Sequence, residues 1–121
     1  MSELAIHTEG LSKSYGDTVA LTGLDLSVPA GEIFGLLGPN GAGKTTTVNL
    51  LTTLLRPTAG RMTIGGLDGS VDADGVRRTI GYLPENVQFY DNLTTVENLR
   101  YFGLLSGLRR PYARIGQVLE Y

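Results

Sequence analysis

The run Gly38-Pro-Asn-Gly-Ala-Gly-Lys-Thr-Thr-Thr47, set between the apolar segment Ile33–Leu37 and a stretch of helical spacing, constrains this chain more than any other feature. Gly38-x-x-x-x-Gly43-Lys44-Thr45 matches the phosphate-binding loop pattern in full. The glycines let the backbone turn tightly and approach a ligand with no Cβ in the way. Successive N–H groups then point into one concavity, and the following helix adds the favourable end of its dipole. Lys44 supplies a point charge for the β- and γ-phosphates, and Thr45 offers a hydroxyl to Mg²⁺. Gly38, Pro39, Asn40, Gly41, Ala42, Gly43, Lys44, Thr45 and Thr46 are therefore the candidate nucleotide-binding residues, Lys44 a candidate catalytic group and Thr45 a candidate metal ligand. A glycine turn that binds nothing has no use for Lys-Thr at that offset. The loop alone does not separate a kinase, a GTPase and a motor.

The flanks place the loop between a strand and a helix. Leu4–Thr8 alternates, as do Leu24, Leu26 and Val28, so both read as half-buried strands. Pro29-Ala-Gly31 is a turn. Ile33–Leu37 is continuously apolar, the pattern of a strand covered on both faces. Thr45–Leu55 has helical length, with Val48, Leu51, Leu54 and Leu55 on roughly one face, and Arg56-Pro-Thr-Ala-Gly60 ends it. Arg61–Ile64 predicts a strand, Gly65-Gly66 and Asp68-Gly69 turns, Asp72–Arg78 a short helix, and Ile80–Leu83 another strand. Thr94 and Glu97 form a capping box. It opens a helix to about Leu105 that is expected to bury Val96, Leu99, Phe102 and Leu105 and to stop at Gly107. A last helix starts near Pro111, with Tyr112, Ile115, Val118 and Leu119 inward. The class is α/β, with the loop at the carboxyl end of a strand, where open α/β sheets bind ligands.

Composition narrows the function classes. A chain of 121 residues predicts one domain. The 18% of charged residues and the net charge of −2 argue against a basic nucleic-acid surface. The absence of cysteine excludes a disulfide framework and a thiolate metal site. No window approaches the roughly 20 apolar residues of a membrane span, and Met1–His7 shows no basic region leading into an apolar run. A soluble, cytoplasmic chain is the expectation.

The wider context of the loop resembles one family. "GPNGAGKTTT" resembles the Walker A loop of ABC transporter ATPases more than that of GTPases or small-molecule kinases. The preceding "LSKSYGDTVALTGLDLSVPAGEIFGLLG" is similar to that family's N-terminal sheet, and "LLTTLLRPTAGRMTIGG" to its segment after Walker A. The resemblance implies a partial P-loop NTPase core with an N-terminal antiparallel β subdomain, and ATP with Mg²⁺ as cofactors. It implies that Tyr15, at the family's aromatic position before the loop, stacks on adenine; its bland reading is a surface aromatic in a turn. The family's Q-loop glutamine is matched in Ile80-Gly-Tyr-Leu-Pro-Glu85 by Glu85. The resemblance gives Glu85 a catalytic and Mg²⁺-linked role, and a carboxylate can ligand Mg²⁺. Its alternative is a solvated loop acid. "ENVQFYDNLTTVENLRYFGLLSGL" resembles the entry to the helical subdomain, which makes Phe89, Tyr90 and Leu93 candidates for contact with a membrane subunit or, equally, a local core. His7 stands too early to be the family's switch histidine and reads as a strand-surface residue.

The resemblance also implies what is not in these residues. The signature motif, the Walker B aspartate and glutamate, the D-loop and the switch histidine follow later in the family, so residues 1–121 correspond to the N-terminal portion of one ATPase domain. "LLSG" at Leu104–Gly107 lacks a following Gly-Gln and reads as a helix end. The expected partners are a transmembrane permease and a second ATP-binding domain, with the chain peripheral at the inner face of the membrane and no nucleic acid. The branch resembles exporters of drugs, polyketides and other ABC-2-type cargo. The stretch "YLPENVQFYDNLT" is also similar to ATPases of copper-site maturation in nitrous oxide reductase. Two alternatives remain: a non-catalytic nucleotide-binding fragment, and a soluble ABC ATPase outside transport.

Overall fold

A computed structural model describes residues 3–39, 41, 43–86 and 88–120, which fall into two compact units, one ending at Tyr82 and one starting at Leu83. The first unit is built on a four-stranded antiparallel sheet of order β2-β1-β3-β4, with β1 Leu4–Tyr15, β2 Thr18–Pro29, β3 Ala59–Ile64 and β4 Leu67–Asp68. It also carries α1 (Lys44–Leu51) and α2 (Ala73–Thr79). The second unit contains α3 (Thr95–Leu105) and α4 (Pro111–Leu119).

β1 and β2 form one long hairpin in which Tyr15 faces Thr18 across a two-residue turn, and Gly16 adopts the positive φ of 56° that such turns favour. The strands are longer than the alternation predicts because a bulge absorbs the break in pattern at Gly10. Side chains satisfy the backbone groups that the bulge frees. The Gly10 N–H donates to Asp25 Oδ1 at 2.7 Å, and Ser12 Oγ donates to the Gly10 carbonyl at 3.0 Å while accepting from the Gly23 N–H at 2.8 Å. β3 closes on the same place. A Cβ at Gly60 would lie 2.3 Å from the Gly10 carbonyl oxygen, so only glycine fits there.

The core of this unit joins Leu11 of β1, Met62 of β3 and Leu50 of α1, all fully buried, with Leu21, Leu24, Leu51 and Leu55 packed around them. Burying a leucine or methionine side chain contributes about 1.5–3 kcal/mol, so this contact holds α1 on the sheet. α2 begins at the N-cap Asp72, which accepts from the Gly75 N–H at 2.9 Å, close to the expected start.

Two predicted strands are absent. Ile33–Leu37 and Ile80–Leu83 are extended coil outside the sheet, with Ile33, Leu37 and Leu83 almost wholly exposed. An apolar run becomes a strand only beside a partner that takes its N–H and C=O groups, and the four described strands pair with one another alone. The helix after the loop is also shorter than Thr45–Leu55. It stops at Leu51, where the Thr53 N–H turns to the Leu50 carbonyl at 3.1 Å and Thr53 adopts a left-handed φ of 65°.

In the second unit the capping box is present as predicted. Thr94 N–H donates to Glu97 Oε1 at 2.9 Å, and Glu97 N–H donates to Thr94 Oγ1 at 3.1 Å. The hydrogen bond from the Thr94 backbone N–H, then that of the Thr94 hydroxyl, holds the Glu97 carboxyl below its usual range. The burial pattern differs from the expectation: Val96 and Leu105 are exposed, Leu99 and Phe102 half-buried, and the buried residue of α3 is Asn98. The Asn98 amide accepts from the Tyr90 N–H at 2.9 Å and donates to the carbonyls of Tyr90 and Thr94 at 3.1 and 3.0 Å, so a polar staple replaces the apolar stripe. On α4, Pro111 and Ile115 are buried while Tyr112, Val118 and Leu119 are exposed. The "LLSG" stretch is a helix end, with Ser106 as C-cap and Gly107 at φ 93°.

Candidate functional site

α1 starts at the end of the glycine loop, and its start is unusually bare. Gly43 is the N-cap, no side chain caps the helix, and no acidic residue lies in its first turn. The first N–H groups of a helix have no partner within it. The positive end of α1 is therefore left to an external acceptor.

Gly43 holds the loop against the hairpin. Its φ of 91° is one that L side chains rarely adopt, and a Cβ there would sit 3.0 Å from the Ala20 carbonyl oxygen and 3.3 Å from Leu21 Cδ1. Its carbonyl accepts from Thr47 twice, from the N–H at 2.8 Å and from Oγ1 at 2.7 Å. Thr47 is buried. The third threonine of the run thus anchors the loop to the helix, while Thr45 is exposed and Thr46 half-buried.

The result is an open depression of about 500 Å³ lined by Thr18, Val19 and Ala20 of β2 and by Gly41, Gly43, Lys44, Thr45 and Thr46. Its lining is made largely of glycines and short hydroxyl side chains, with Lys44 as its one charged residue. The Lys44 ammonium donates to the Gly38 carbonyl, so the cation folds back over its own loop. Thr45 is exposed. Among the described residues no group of three or more His, Asp or Glu side chains could hold a metal ion unaided. A Mg²⁺ ion here would be held by phosphate oxygens and water, with the Thr45 hydroxyl as a protein ligand, which is this ion's habit in nucleotide sites.

The other predicted site residues are placed as follows. Gly38 and Pro39 lie in exposed coil, and Asn40 and Ala42 fall outside the described residues. Tyr15 ends β1, is 49% exposed, and stands opposite Thr18, which lines the depression. Glu85 lies on an exposed bend in the second unit. In that unit Phe89 and Tyr90 pack edge-on and stacked against Phe102, at 6.0 and 6.3 Å, while staying half exposed. His7 is a strand residue, its ring between Ser27 Oγ at 3.1 Å and Glu9 Oε1 at 3.0 Å. The hydrogen bond from His7, then Arg61, holds the Glu9 carboxyl below its usual range. Thr18, Val19, Ala20 and Thr47 belong to the site without having been predicted. The one sequence signal for the β2 residues is that they follow the Tyr15-Gly16-Asp17 turn directly.

The antiparallel sheet, the glycine loop and α1 make up part of a P-loop α/β domain, without a strand leading into the loop among the described residues. Comparison with known proteins specifies which. The family model described as ABC transporter matches residues 21–121. A daunorubicin resistance ATP-binding protein of Streptomyces coeruleorubidus is 48% identical over 99% of this chain and 39% of its own length. The daunorubicin/doxorubicin resistance ATP-binding protein of Streptomyces peucetius is 47% identical over 91% of this chain and 33% of its own. A solved structure of the ATP-binding subunit of an ABC transporter superposes with a TM-score of 0.76 at 32% identity, covering 88% of this chain and 44% of that one. The chain belongs to the ABC transporter family, in its ATP-binding domain, and spans 33–39% of the length of these two curated relatives.

Proposed function

We propose that the chain binds MgATP and is the nucleotide-gripping portion of an exporter's ATP-binding subunit. The observation that carries the proposal is the bare N-terminus of α1 opening onto a depression lined by Gly43, Lys44, Thr45 and Thr46. In this reading the backbone N–H groups of the run Gly38–Thr46, Pro39 excepted because it has none, bind phosphate oxygens. Lys44 exchanges the Gly38 carbonyl for the β- and γ-phosphates. Thr45 ligands Mg²⁺ and Tyr15 takes the adenine ring, and Glu85 is the counterpart of the family's Q-loop glutamine. Bound Mg²⁺ supplies charge neutralisation along the phosphates.

The curated relatives are named for resistance to daunorubicin and doxorubicin, which supports export of drug-like compounds as the parent activity. The partners proposed are a membrane permease and a second ATP-binding domain, with the chain at the cytoplasmic face. No helix among the described residues is long and apolar enough to cross a membrane. The match of residues 21–121 to the family model, and the 33–39% of the relatives' length that is spanned, support reading these residues as the N-terminal portion of one ATPase domain. In this reading the purified 121 residues bind ATP weakly and hydrolyse it negligibly. The test is equilibrium binding of MgATP to the purified chain and to Lys44→Ala, with phosphate release followed in parallel. Saturable binding lost in Lys44→Ala, without steady turnover, is the expected result. Absence of binding refutes the gripping role, and steady turnover lost in Lys44→Ala refutes the non-catalytic reading.

A further inference from the structure

Lys13 and Tyr15 stand two residues apart on β1 and so share a face of the strand. The Lys13 ammonium lies 5.2 Å over the centroid of the Tyr15 ring, within the range of a cation–π contact. The same ammonium donates to the Arg56 carbonyl at 2.7 Å, in the turn between α1 and β3. Two more bonds tie these stretches: Thr58 N–H donates to the Ser12 carbonyl at 2.9 Å, and Ser14 N–H donates to Thr58 Oγ1 at 3.0 Å. Lys13 is therefore held from two sides, by a ring on its own strand and by a carbonyl beyond the helix that carries the phosphate loop.

An aromatic ring has two faces, and here the ammonium takes one of them. We propose that Lys13 is a positioning residue for the nucleotide base: it fixes the Tyr15 ring from behind and leaves the opposite face for a purine. This rests on the reading of Tyr15 as the base platform. A half-exposed tyrosine on a hairpin end otherwise loses side-chain freedom when a base stacks on it, and a ring already held loses less. A cation–π contact at an exposed site is modest, so its effect is small and confined to ligands that carry a base. If Lys13 were only a tether for the Arg56 turn, its removal would instead weaken binding of every phosphate ligand alike.

The test compares MgATP with magnesium tripolyphosphate, which has the charges but no base, on the whole chain. The variants are Lys13→Ala, Lys13→Arg, Tyr15→Ala and the double Lys13→Ala/Tyr15→Ala. Expected are a loss of about two- to five-fold in ATP affinity for Lys13→Ala, unchanged tripolyphosphate binding, retention in Lys13→Arg, and no further loss when Lys13→Ala is added to Tyr15→Ala. Tripolyphosphate binding also reports that each variant is folded at the loop. Unchanged or tighter ATP binding by Lys13→Ala, with Tyr15→Ala weakened, overturns the role of Lys13 and leaves the Tyr15 reading standing. An equal loss for both ligands overturns it as well. ATP binding unaffected by Tyr15→Ala overturns the base platform and this inference with it.

Discussion

Replacing Gly43 by alanine tests how the loop is built. Gly43 sits at φ 91°, ψ 9°, where an L residue is strained by about 1–2 kcal/mol. The new methyl would also press on the Ala20 carbonyl oxygen at 3.0 Å and on Leu21 Cδ1 at 3.3 Å. The leucine methyl can swing aside, but the carbonyl belongs to the β2 backbone, and overpacking of that kind costs about 1–3 kcal/mol. The strain can be relieved only by moving the loop off the hairpin, which drags the Gly43 carbonyl from the two groups of Thr47 that donate to it. Together the terms come to about 2–5 kcal/mol, and a ligand that needs the original loop must restore that strain, so MgATP affinity should fall at least about thirty-fold. Gly41→Ala is the control. Its φ is 87°, but nothing lies within 4 Å of the added Cβ, so only the backbone penalty applies. Urea unfolding and ATP titration of both variants give the answer. Gly43→Ala with the parent's midpoint and affinity, or Gly41→Ala as damaging as Gly43→Ala, would refute the reasoning.

Three further outcomes follow from the packing. Leu50→Ala empties the contact between α1 and the sheet and should destabilise by about 2–5 kcal/mol in urea unfolding, since Leu50 is fully buried against Leu11 and Met62. Gly60→Ala should leave the chain largely unfolded by circular dichroism, because its Cβ would meet three backbone atoms of Gly10 and Leu11 within 2.6 Å. The Glu97 carboxyl is lowered by its bonds to Thr94, so its cap is fully present above the unfolded value and is lost as pH falls through the folded one. Glutamine keeps the capping box without titrating. Amide exchange at the start of α3 should therefore speed up between about pH 5 and pH 3 in the parent relative to Glu97→Gln, and parallel profiles for the two would contradict the assignment.

What the sequence makes legible is what depends on neighbours in the chain. The Thr94–Glu97 box, the short helix near Asp72–Arg78 and the stop at Gly107 are all local, and all are found. What it hides depends on residues far away. Ile33–Leu37 has the composition of a covered strand, yet coverage is supplied by other segments, and none of the described strands pairs with it. The predicted stripe is Val96, Leu99, Phe102 and Leu105, yet the buried residue of α3 is Asn98, because the backbone groups of Tyr90, Leu93 and Thr94 bond its amide. The site divides the same way. Gly43, Lys44 and Thr45 are read directly from spacing, whereas the β2 wall of Thr18–Ala20 comes from the way the hairpin folds back over the loop. Thr47 escapes notice because a third threonine in a row gives no sign that its hydroxyl turns inward to Gly43.

The central claim is that the depression between the hairpin and the start of α1 holds the triphosphate of ATP. The most direct measurement is the pattern of backbone amide chemical shifts as MgATP is titrated into the chain. The predicted result is saturable change centred on Gly43–Thr46 and on Thr18–Ala20, with Tyr15 moving and Lys44→Ala showing none of it. Shifts centred elsewhere, or the same saturable pattern persisting in Lys44→Ala, would contradict the account.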